Sequence, residues 1–367
     1  MPQLSIMIKP ASSRCNMRCE YCFYHDVAER RAREDLGFMT EQTARTLIDK
    51  ALRYAGGEPA AFVFQGGEPC LKGLAFFESF AAYVKSRNAL NSPVFFGLQT
   101  NGLLIDESWA RFLKSENFLV GLSLDGDLGA NKFRKTPDGR NAYDQTAKAA
   151  ALLKEYGVDF NILTVLTGDC ADDIARIYKF FKSEGYGFLQ FTPCLRPFGD
   201  KTESGLYMTV KQYANFLITL FQLYAKDYFR GNYVSVRYFD NLVRLYLGQP
   251  TEQCGMRGHC AFQYVVEADG DVYPCDFYCL DERQLGNVLT DDFEALRNGS
   301  AQKTFINESL QTAPRCIQCE FFSMCRGGGC RRIMESADYC VAYKEFFSAC
   351  LPLFRLFKDE KPRGERG

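Results

Sequence analysis

The chain has 367 residues, of which 47% are hydrophobic, and a formal net charge of −1. This composition supports a sizeable core and excludes global disorder. Acids and bases are intermixed without a basic tract, and no apolar run approaches the ~18 residues of a membrane span. The first residues lack the charged and apolar regions of a secretory signal. We therefore expect a cytoplasmic protein with no nucleic-acid and no membrane partner.

Short β-rich runs alternate with longer amphipathic runs in the first half of the chain. The predicted strands are Leu4–Ile8, Ala61–Gln65, Val94–Thr100, Leu119–Leu124, Phe160–Val165 and Phe188–Thr192. The predicted helices are Thr40–Tyr54, Leu74–Arg87, Glu107–Ser115, Tyr143–Tyr156 and Ala171–Glu184. Six such units predict an α/β fold, a partial (β/α)6 TIM-like barrel with fewer strands than a closed barrel. Ligands in such sheets bind at the C-terminal ends of the strands.

Sixteen cysteines and only two histidines indicate thiolate chemistry. Disulfides do not persist in a reducing cytosol, so clustered cysteines in a chain of this size favour metal binding. The scarcity of histidine disfavours mixed Cys/His zinc sites and favours iron–sulfur clusters.

The pattern along the chain changes after the sixth predicted strand. Residues 207–247 look helical and rich in aromatics, whereas residues 254–340 hold nine of the sixteen cysteines, many glycines and little helical period. We predict the partial barrel over residues 1–235. A C-terminal loop-rich iron–sulfur domain, with a helical linker before it, is predicted over residues 236–350. A C-terminal tail is predicted over residues 351–367, frayed from Lys358 onward.

Three cysteines, Cys15, Cys19 and Cys22, follow the first predicted strand. Three thiolates can hold three irons of a [4Fe–4S] cube and leave the fourth iron open for another ligand. This Cys-x3-Cys-x2-Cys spacing, with Tyr21 before the third cysteine, resembles the radical S-adenosylmethionine (SAM) superfamily. The resemblance implies that the cluster cleaves SAM reductively to start radical chemistry on a C–H bond. A three-cysteine zinc site is the alternative.

The sequence Gly66-Gly67-Glu68-Pro69 follows the second predicted strand and resembles the motif with which this superfamily holds the amino group of SAM. Glycines permit a close backbone approach, and the Glu68 carboxylate would complement an ammonium group. The resemblance also implies SAM contacts for Tyr21, Ser123 and Leu195. A strand-end cap or a packing residue is an equal alternative for Ser123 and Leu195.

The C-terminal cysteines resemble the SPASM extension of radical SAM peptide-modifying enzymes, and with Cys254 they number eight. By this resemblance one [4Fe–4S] cluster takes Cys254, Cys260, Cys275 and Cys330. The other takes Cys316, Cys319, Cys325 and Cys340, which gives three clusters in all. Four residues separate Cys325 from Cys330 where the family usually has three, and an extra loop glycine is easily absorbed.

Two questions about the cysteines stay open. Zinc ribbons are an alternative to the auxiliary clusters because Cys-x2-Cys is also a zinc spacing. Five cysteines remain and are expected to be buried thiols: Cys70, Cys170, Cys194, Cys279 and Cys350. A role at the site stays open for Cys279, and Cys350 is a weaker candidate for the last cluster ligand.

Residues 8–26, 64–69, 190–195 and 273–278 resemble the anaerobic sulfatase-maturating enzymes. The resemblance implies oxidation of a cysteine or serine to Cα-formylglycine through abstraction of a Cβ hydrogen. The implied partners are an unfolded sulfatase segment of Cys/Ser-x-Pro/Ala-x-Arg type and an external electron donor such as flavodoxin or ferredoxin.

Within this resemblance Asp276 matches the general base, and Tyr24 and Gln65 match residues that line the substrate pocket. A carboxylate in a dry cavity next to a cluster can have a raised pKa suited to proton acceptance. The alternatives are a loop cap for Asp276 and a packed aromatic for Tyr24.

Two other functions remain possible from the residues alone. One is another SPASM reaction on a ribosomal peptide: thioether crosslinking, epimerisation or decarboxylation. The other is a non-catalytic electron carrier or zinc-bound scaffold, which leaves the Gly-Gly-Glu-Pro motif at the strand end unexplained. Fourteen residues precede Cys15, so we expect no separate peptide-binding domain before the triplet, which favours sulfatase maturation.

Overall fold

A computed structural model describes residues 4–359 of the chain, which contain ten strands and fifteen α-helices. The strands are β1 (Leu4–Ile8), β2 (Ala60–Phe64), β3 (Val94–Thr100), β4 (Leu119–Ser123), β5 (Phe160–Leu166), β6 (Phe188–Pro193), β7 (Ser235–Val236), β8 (Tyr264–Val266), β9 (Asp271–Tyr273) and β10 (Gly286–Asn287). The helices are α1 (Phe23–Glu29), α2 (Glu41–Ala55), α3 (Leu74–Arg87), α4 (Glu107–Ser115), α5 (Tyr143–Glu155), α6 (Gly168–Asp172), α7 (Ile174–Ser183), α8 (Val210–Phe229), α9 (Arg237–Tyr246), α10 (Phe293–Asn298), α11 (Ser300–Ser309), α12 (Pro314–Ile317), α13 (Phe322–Cys325), α14 (Arg331–Ser336) and α15 (Cys340–Asp359).

The chain divides into two compact units. The first contains residues 4–124, 131–162 and 262–308, and the second contains residues 125–130, 163–261 and 309–359. None of the helices in the described part of the chain is long and apolar enough to cross a bilayer.

The first unit is built on a mixed sheet in which β1, β2, β3 and β4 run parallel in that order. Strand β8 adds to the other side of β1, also parallel, with Ile8 opposite Val266. Strands β9 and β10 continue the sheet antiparallel. Because β1 and β2 are parallel, Ile8 lies opposite Phe64 and their carboxyl ends meet at one edge. Residues that follow these strands are therefore brought together.

Aromatic side chains form the core of this unit. Phe62 and Phe64 of β2 are fully buried, and the ring of Phe64 meets the ring of Phe77 edge-on with centroids 4.8 Å apart. Phe77 in turn contacts Trp109 of α4 at 5.0 Å. Such edge-on pairs add to the stabilisation from area burial. They fix the helices on the sheet face and hold the strand ends in register.

The second unit is mainly helical, with a short parallel pair of β6 and β7. Helix α8 begins with a capping box, in which the Thr209 hydroxyl accepts from the Gln212 N–H and the Gln212 side chain bonds back to the Thr209 backbone. Phe221 of α8 stacks on Phe354 of α15 with ring centroids 4.3 Å apart. Phe239 of α9 packs edge-on against Phe221, with ring centroids 5.1 Å apart. The aromatic run between residues 207 and 247 is thus a helical core.

The predicted α/β alternation is confirmed, and all six predicted strands agree with the structure to within one residue at each end. The predicted helix starts at Thr40 and Asp106 are also confirmed, since each side chain accepts from a backbone N–H at the helix start. The predicted single helix over Ala171–Glu184 is wrong. It is two helices, α6 and α7, separated at Asp173, where the backbone (φ −95°, ψ 11°) leaves the helical region.

Strands β8, β9 and β10 were not predicted, and residues 254–340 contain short helices in addition to loops. The domain boundary at residue 235 stays a prediction. Of the predicted tail, residues up to Asp359 belong to α15, and residues 360–367 lie outside the described part of the chain.

The packing of β2 leads to a stability prediction. We expect Phe62→Ala to lower the free energy of unfolding by about 3–5 kcal/mol, because the side chain is fully buried against Phe80 and Phe96. The matched control is Phe95→Ala on the neighbouring strand, where the side chain is 55% exposed. It should change stability by less than about 0.5 kcal/mol. Urea unfolding under anaerobic conditions measures both, and equal losses would contradict this description of the core.

Candidate active site

Three side chains predicted to act on the substrate lie together in the first unit. Tyr24 of α1 donates its hydroxyl to Asp276 Oδ2 at 2.6 Å, and Gln65, which follows β2, donates Nε2 to the same oxygen at 2.9 Å. Gln65 Nε2 also lies 3.0 Å from the Tyr24 hydroxyl. Asp276 comes from the short turn after β9. Residues separated by more than 200 positions therefore share one hydrogen-bonded group.

The Asp276 carboxylate is nearly buried, with 5% of the residue exposed. Its second oxygen, Oδ1, is buried without a hydrogen-bond partner in residues 4–359. Burial raises the pKa of Asp276 above its usual value, against the opposing charge of Lys9. Oδ2 thus accepts two hydrogen bonds and Oδ1 accepts none from the described residues, and burial weakens the preference of the group for its ionised form. Such a carboxylate is suited to accept a proton at Oδ1.

Sequence reasoning missed a buried charge cluster beside this group, made of Lys9, Arg31 and Glu267. Lys9 follows the last residue of β1, and its Nζ lies 2.8 Å from Glu267 Oε1 and 3.8 Å from Asp276 Oδ1. Arg31 donates to the same Glu267 oxygen at 2.6 Å. Nζ also lies 4.9 Å from the centre of the Tyr24 ring. Lys9 lies within residues 8–26, but no pattern in that run assigns a role to the lysine, although its position beside Gln65 follows from the register of β1 and β2.

The charges within this cluster stabilise one another. Burial favours the uncharged form of every member. The acidic groups around Lys9, first the Cys279 thiol and then Glu267 and Asp276, outweigh burial and raise the pKa of Lys9. In the same way Lys9 and Arg31 outweigh burial and lower the pKa of Glu267. All three groups are therefore charged at neutral pH.

The predicted cluster cysteines Cys15, Cys19 and Cys22 lie on the loop between β1 and α1, all partly exposed. The backbone N–H of Cys22 donates to the Cys19 carbonyl at 3.2 Å, which tightens the loop. The Asn101 amide approaches Cys15 Sγ at 3.8 Å. Burial raises the pKa of Cys15 to about 12. A bound metal would supply the positive charge that stabilises the thiolate.

The Gly-Gly-Glu-Pro turn packs directly on the cysteine loop. A Cβ on Gly67 would lie 2.2 Å from the Arg14 carbonyl, and the residue has φ +54°, so a side chain is excluded on both grounds. The N–H of Glu68 donates to the same carbonyl at 2.8 Å. At Gly66 a Cβ would lie 2.4 Å from Lys9 Cε, so the lysine chain runs across the bare backbone of this glycine.

Glu68 is buried and accepts hydrogen bonds that join the ends of β2 and β3. The donors are the Thr100 hydroxyl at 2.8 Å, the Asn101 N–H at 2.8 Å and the Cys70 N–H at 3.0 Å. Burial nevertheless raises the pKa of Glu68. The carboxylate thus has a structural task in the turn, and its contact with the ammonium of SAM stays a prediction.

The other predicted SAM contacts are placed as follows. Ser123, at the end of β4, accepts from Gln99 Nε2 at 2.9 Å. Tyr21 lies on the cysteine loop with the Arg134 guanidinium 5.6 Å from its ring centre. Leu195 is buried after β6, in the second unit. Contact of these three residues with SAM also stays a prediction.

Three cysteines of the first predicted auxiliary set occur together in the second unit. Burial raises the pKa of Cys330 to about 11, and the nearby thiols of Cys254 and Cys260 add to the shift. A Cβ on Gly255 would lie 2.5 Å from the Cys330 backbone nitrogen, so the two loops touch. The fourth predicted member, Cys275, directly precedes the Asp276 turn and belongs to the first unit.

The second predicted auxiliary set lines one pocket that is partly open to solvent: Cys316, Cys319, Cys325 and Cys340. Residues 326–329, between Cys325 and Cys330, all have positive φ, and three of the four are glycines, which adopt such backbone angles without strain. Within residues 4–359 no group of three or more His, Cys, Asp or Glu side chains has the arrangement of a single-ion site. The five cysteines outside the predicted sets are all buried.

Comparison with known proteins agrees with this geometry. Residues 10–181 match the radical SAM superfamily model, and residues 258–320 match the SPASM iron–sulfur cluster-binding domain. The chain is 42% identical over 362 residues to a cysteine-type anaerobic sulfatase-maturating enzyme of Clostridium perfringens, covering 96% of this chain and 97% of that one. It is 30% identical to a serine-type enzyme of Klebsiella aerogenes, covering 97% and 87%.

A solved structure of native anSMEcpe with bound AdoMet and Cp18Cys peptide superposes on this chain with a TM-score of 0.92 and 41% identity. The match covers 98% of this chain and 99% of that structure. Matches that span the two units, the cysteine loop and the Asp276 turn together define the family. The chain belongs to the anaerobic sulfatase-maturating enzymes, a family of radical SAM enzymes with a SPASM iron–sulfur domain.

Proposed function

We propose that this protein oxidises a cysteine side chain on an unfolded sulfatase segment to Cα-formylglycine. The observation that carries the proposal is the Asp276 carboxylate, which Tyr24 and Gln65 hold through one oxygen while the other stays free of hydrogen bonds. A proton acceptor is what the reaction requires of the protein, because the substrate thiol must lose its proton as it becomes a carbonyl group.

The residues present fit the cofactors of the family. We propose three [4Fe–4S] clusters, because eleven cysteines fall into one group of three and two groups of four, and thiolates are the usual ligands of iron–sulfur clusters. Gly66 and Gly67 have no side chain at the turn that faces the cysteine loop. When bound and reductively cleaved, SAM supplies the 5′-deoxyadenosyl radical that takes a Cβ hydrogen from the substrate.

The chain's own residues perform the remaining steps in this proposal. Asp276 accepts the thiol proton at Oδ1, while Tyr24 and Gln65 fix the carboxylate plane through Oδ2. The substrate loses a Cβ hydrogen to the radical, a proton to Asp276 and one further electron, which one of the proposed auxiliary clusters would accept, and this leaves a thioaldehyde. Water converts this group to the aldehyde with release of hydrogen sulfide. The low exposure of Asp276 limits access of water to the carboxylate during proton transfer.

Similarity to the relatives supports cysteine over serine as the oxidised residue. Identity is 42% to the cysteine-type enzyme and 30% to the serine-type enzyme, at comparable coverage of this chain. We therefore propose a Cys-x-Pro/Ala-x-Arg segment as the substrate. An external donor such as flavodoxin or ferredoxin would supply electrons, and a reducing cytoplasm suits an enzyme with many thiolates.

The direct test is anaerobic incubation of the reconstituted protein with SAM, a reductant and a Cys-x-Pro-x-Arg peptide. We expect a mass loss of about 18 Da from the peptide, with 5′-deoxyadenosine as coproduct. The matched serine peptide, whose oxidation removes about 2 Da, should react more slowly. Absence of both products from a protein that contains iron and sulfide would refute the proposal.

Replacement of the proposed base should separate SAM cleavage from peptide oxidation. In Asp276→Asn we expect formylglycine formation to fall by about 10²–10⁴-fold, the usual contribution of a general base. 5′-Deoxyadenosine should still form. The control is Asp144→Asn on α5, an exposed aspartate, which should leave both rates unchanged. An Asp276→Asn variant with the full rate would show that another group takes the proton.

The contact of Gly255 with the Cys330 backbone gives a prediction about cluster content. In Gly255→Ala the new Cβ would overlap the Cys330 nitrogen, so we expect iron to fall from about twelve per chain towards about eight, the loss of one four-iron cluster. The control is Gly205→Ala, where a Cβ meets nothing within 4 Å and φ is not positive. Iron and sulfide analysis measures both variants, and full iron content in Gly255→Ala would contradict the proposed ligand set.

A further inference from the structure

The buried charge cluster has an asymmetry that bears on Asp276. Lys9 Nζ is bonded to Glu267 at 2.8 Å, but its 3.8 Å separation from Asp276 Oδ1 is too long for a hydrogen bond. Lys9 and Glu267 are each no more than 1% exposed. A buried ammonium next to two carboxylates would ordinarily bond to both, since unpaired buried charges are costly. Here the ammonium forms a hydrogen bond to only one of the two carboxylates, that of Glu267.

Two contacts hold Lys9 in this position. Arg31 donates to Glu267 Oε1 at 2.6 Å and fixes the carboxylate that Lys9 binds. The Lys9 side chain then runs over Gly66, where even a methyl group would come within 2.4 Å of Cε. The ammonium is therefore restrained at both its charged end and its aliphatic chain.

We propose that Glu267 is a positioning residue that keeps Lys9 from closing onto Asp276, so that Oδ1 stays open for the substrate thiol. This inference rests on the proposed function of Asp276. Glu267 and Arg31 touch neither SAM nor the substrate in this account. Their effect passes through Lys9, whose charge still faces the Asp276 carboxylate across the 3.8 Å gap.

The inference predicts an unusual pattern in two variants. Glu267→Gln keeps the shape of the side chain but removes the charge that binds Lys9. Lys9 should then bond to Asp276 Oδ1 and block it, and formylglycine formation should fall by about tenfold or more, the factor expected for one hydrogen bond to a charged group. Adding Lys9→Met removes the blocking ammonium, so the double variant Lys9→Met/Glu267→Gln should be faster than Glu267→Gln alone.

A merely structural role predicts a different pattern. Removing one partner of a buried ion pair destabilises the fold and removing both can restore it, so a structural role makes the activity of each variant follow its folded fraction. The inference instead predicts low activity in a Glu267→Gln protein that is still fully folded at the assay temperature. The control is Glu116→Gln, which removes a carboxylate paired with the exposed Lys85, and it should change nothing. Thermal unfolding and peptide affinity of each variant show whether the protein still folds and binds the Cys-x-Pro-x-Arg peptide.

A crystal structure of Glu267→Gln gives a readout independent of activity. We expect Lys9 Nζ within hydrogen-bond distance of Asp276 Oδ1. An unchanged 3.8 Å separation, or a double variant no faster than the single one, would overturn the inference. If the unmodified enzyme makes no formylglycine, the proposed function fails. If the unmodified enzyme is active and Glu267→Gln is equally active, only this inference fails.

Discussion

The hydrogen bonds from Tyr24 and Gln65 to a single oxygen of Asp276 are the contacts on which the site depends. They join the segment after the cysteine loop, the end of β2 and the turn after β9. Sheet register makes this possible, because β8 pairs parallel with β1 and β9 returns antiparallel beside it. Without β8 and β9 in the same sheet as β1 and β2, Asp276 and the cysteine loop would have no fixed relation within the first unit.

At the same edge of the sheet, the Gly-Gly-Glu-Pro motif contacts both the cysteine loop and the buried charge cluster. Gly66 belongs to a motif associated with SAM, yet the space left by its absent side chain is filled by Lys9. Glu68 belongs to that motif too, and its carboxylate ties the ends of β2 and β3 together. A substitution at Gly66 would therefore displace Lys9 and change the charges that surround Asp276, in addition to any effect on the predicted SAM contact. A direct SAM-binding measurement separates the two effects.

Cysteine protonation links folding to metal binding. Burial raises the pKa of Cys15 to about 12 and that of Cys330 to about 11, so these thiols bind protons tightly in the metal-free protein. If these predicted ligands bind iron, the iron would displace those protons; the Cys330 loop is held by its contact with Gly255. Part of the free energy of cluster binding would then be used to deprotonate the thiols, which would make cluster assembly pH-dependent.

Most of the first unit could be predicted from the sequence because its strands are apolar runs bounded by turns, and its motifs lie directly after them. The three-residue strands β8 and β9 could not, since a run of that length has no measurable period. Lys9 and Glu267 were missed for a related reason. Each is a single charge after an apolar strand, and only the pairing of β8 with β1 shows that the two charges meet.

The most direct test of this account is a crystal structure of the reconstituted enzyme with SAM and a Cys-x-Pro-x-Arg peptide. The account predicts that the peptide sulfur lies within hydrogen-bond distance of Asp276 Oδ1, with Tyr24 and Gln65 still bonded to Oδ2. A peptide sulfur bound away from Asp276, with those two hydrogen bonds intact, would contradict it.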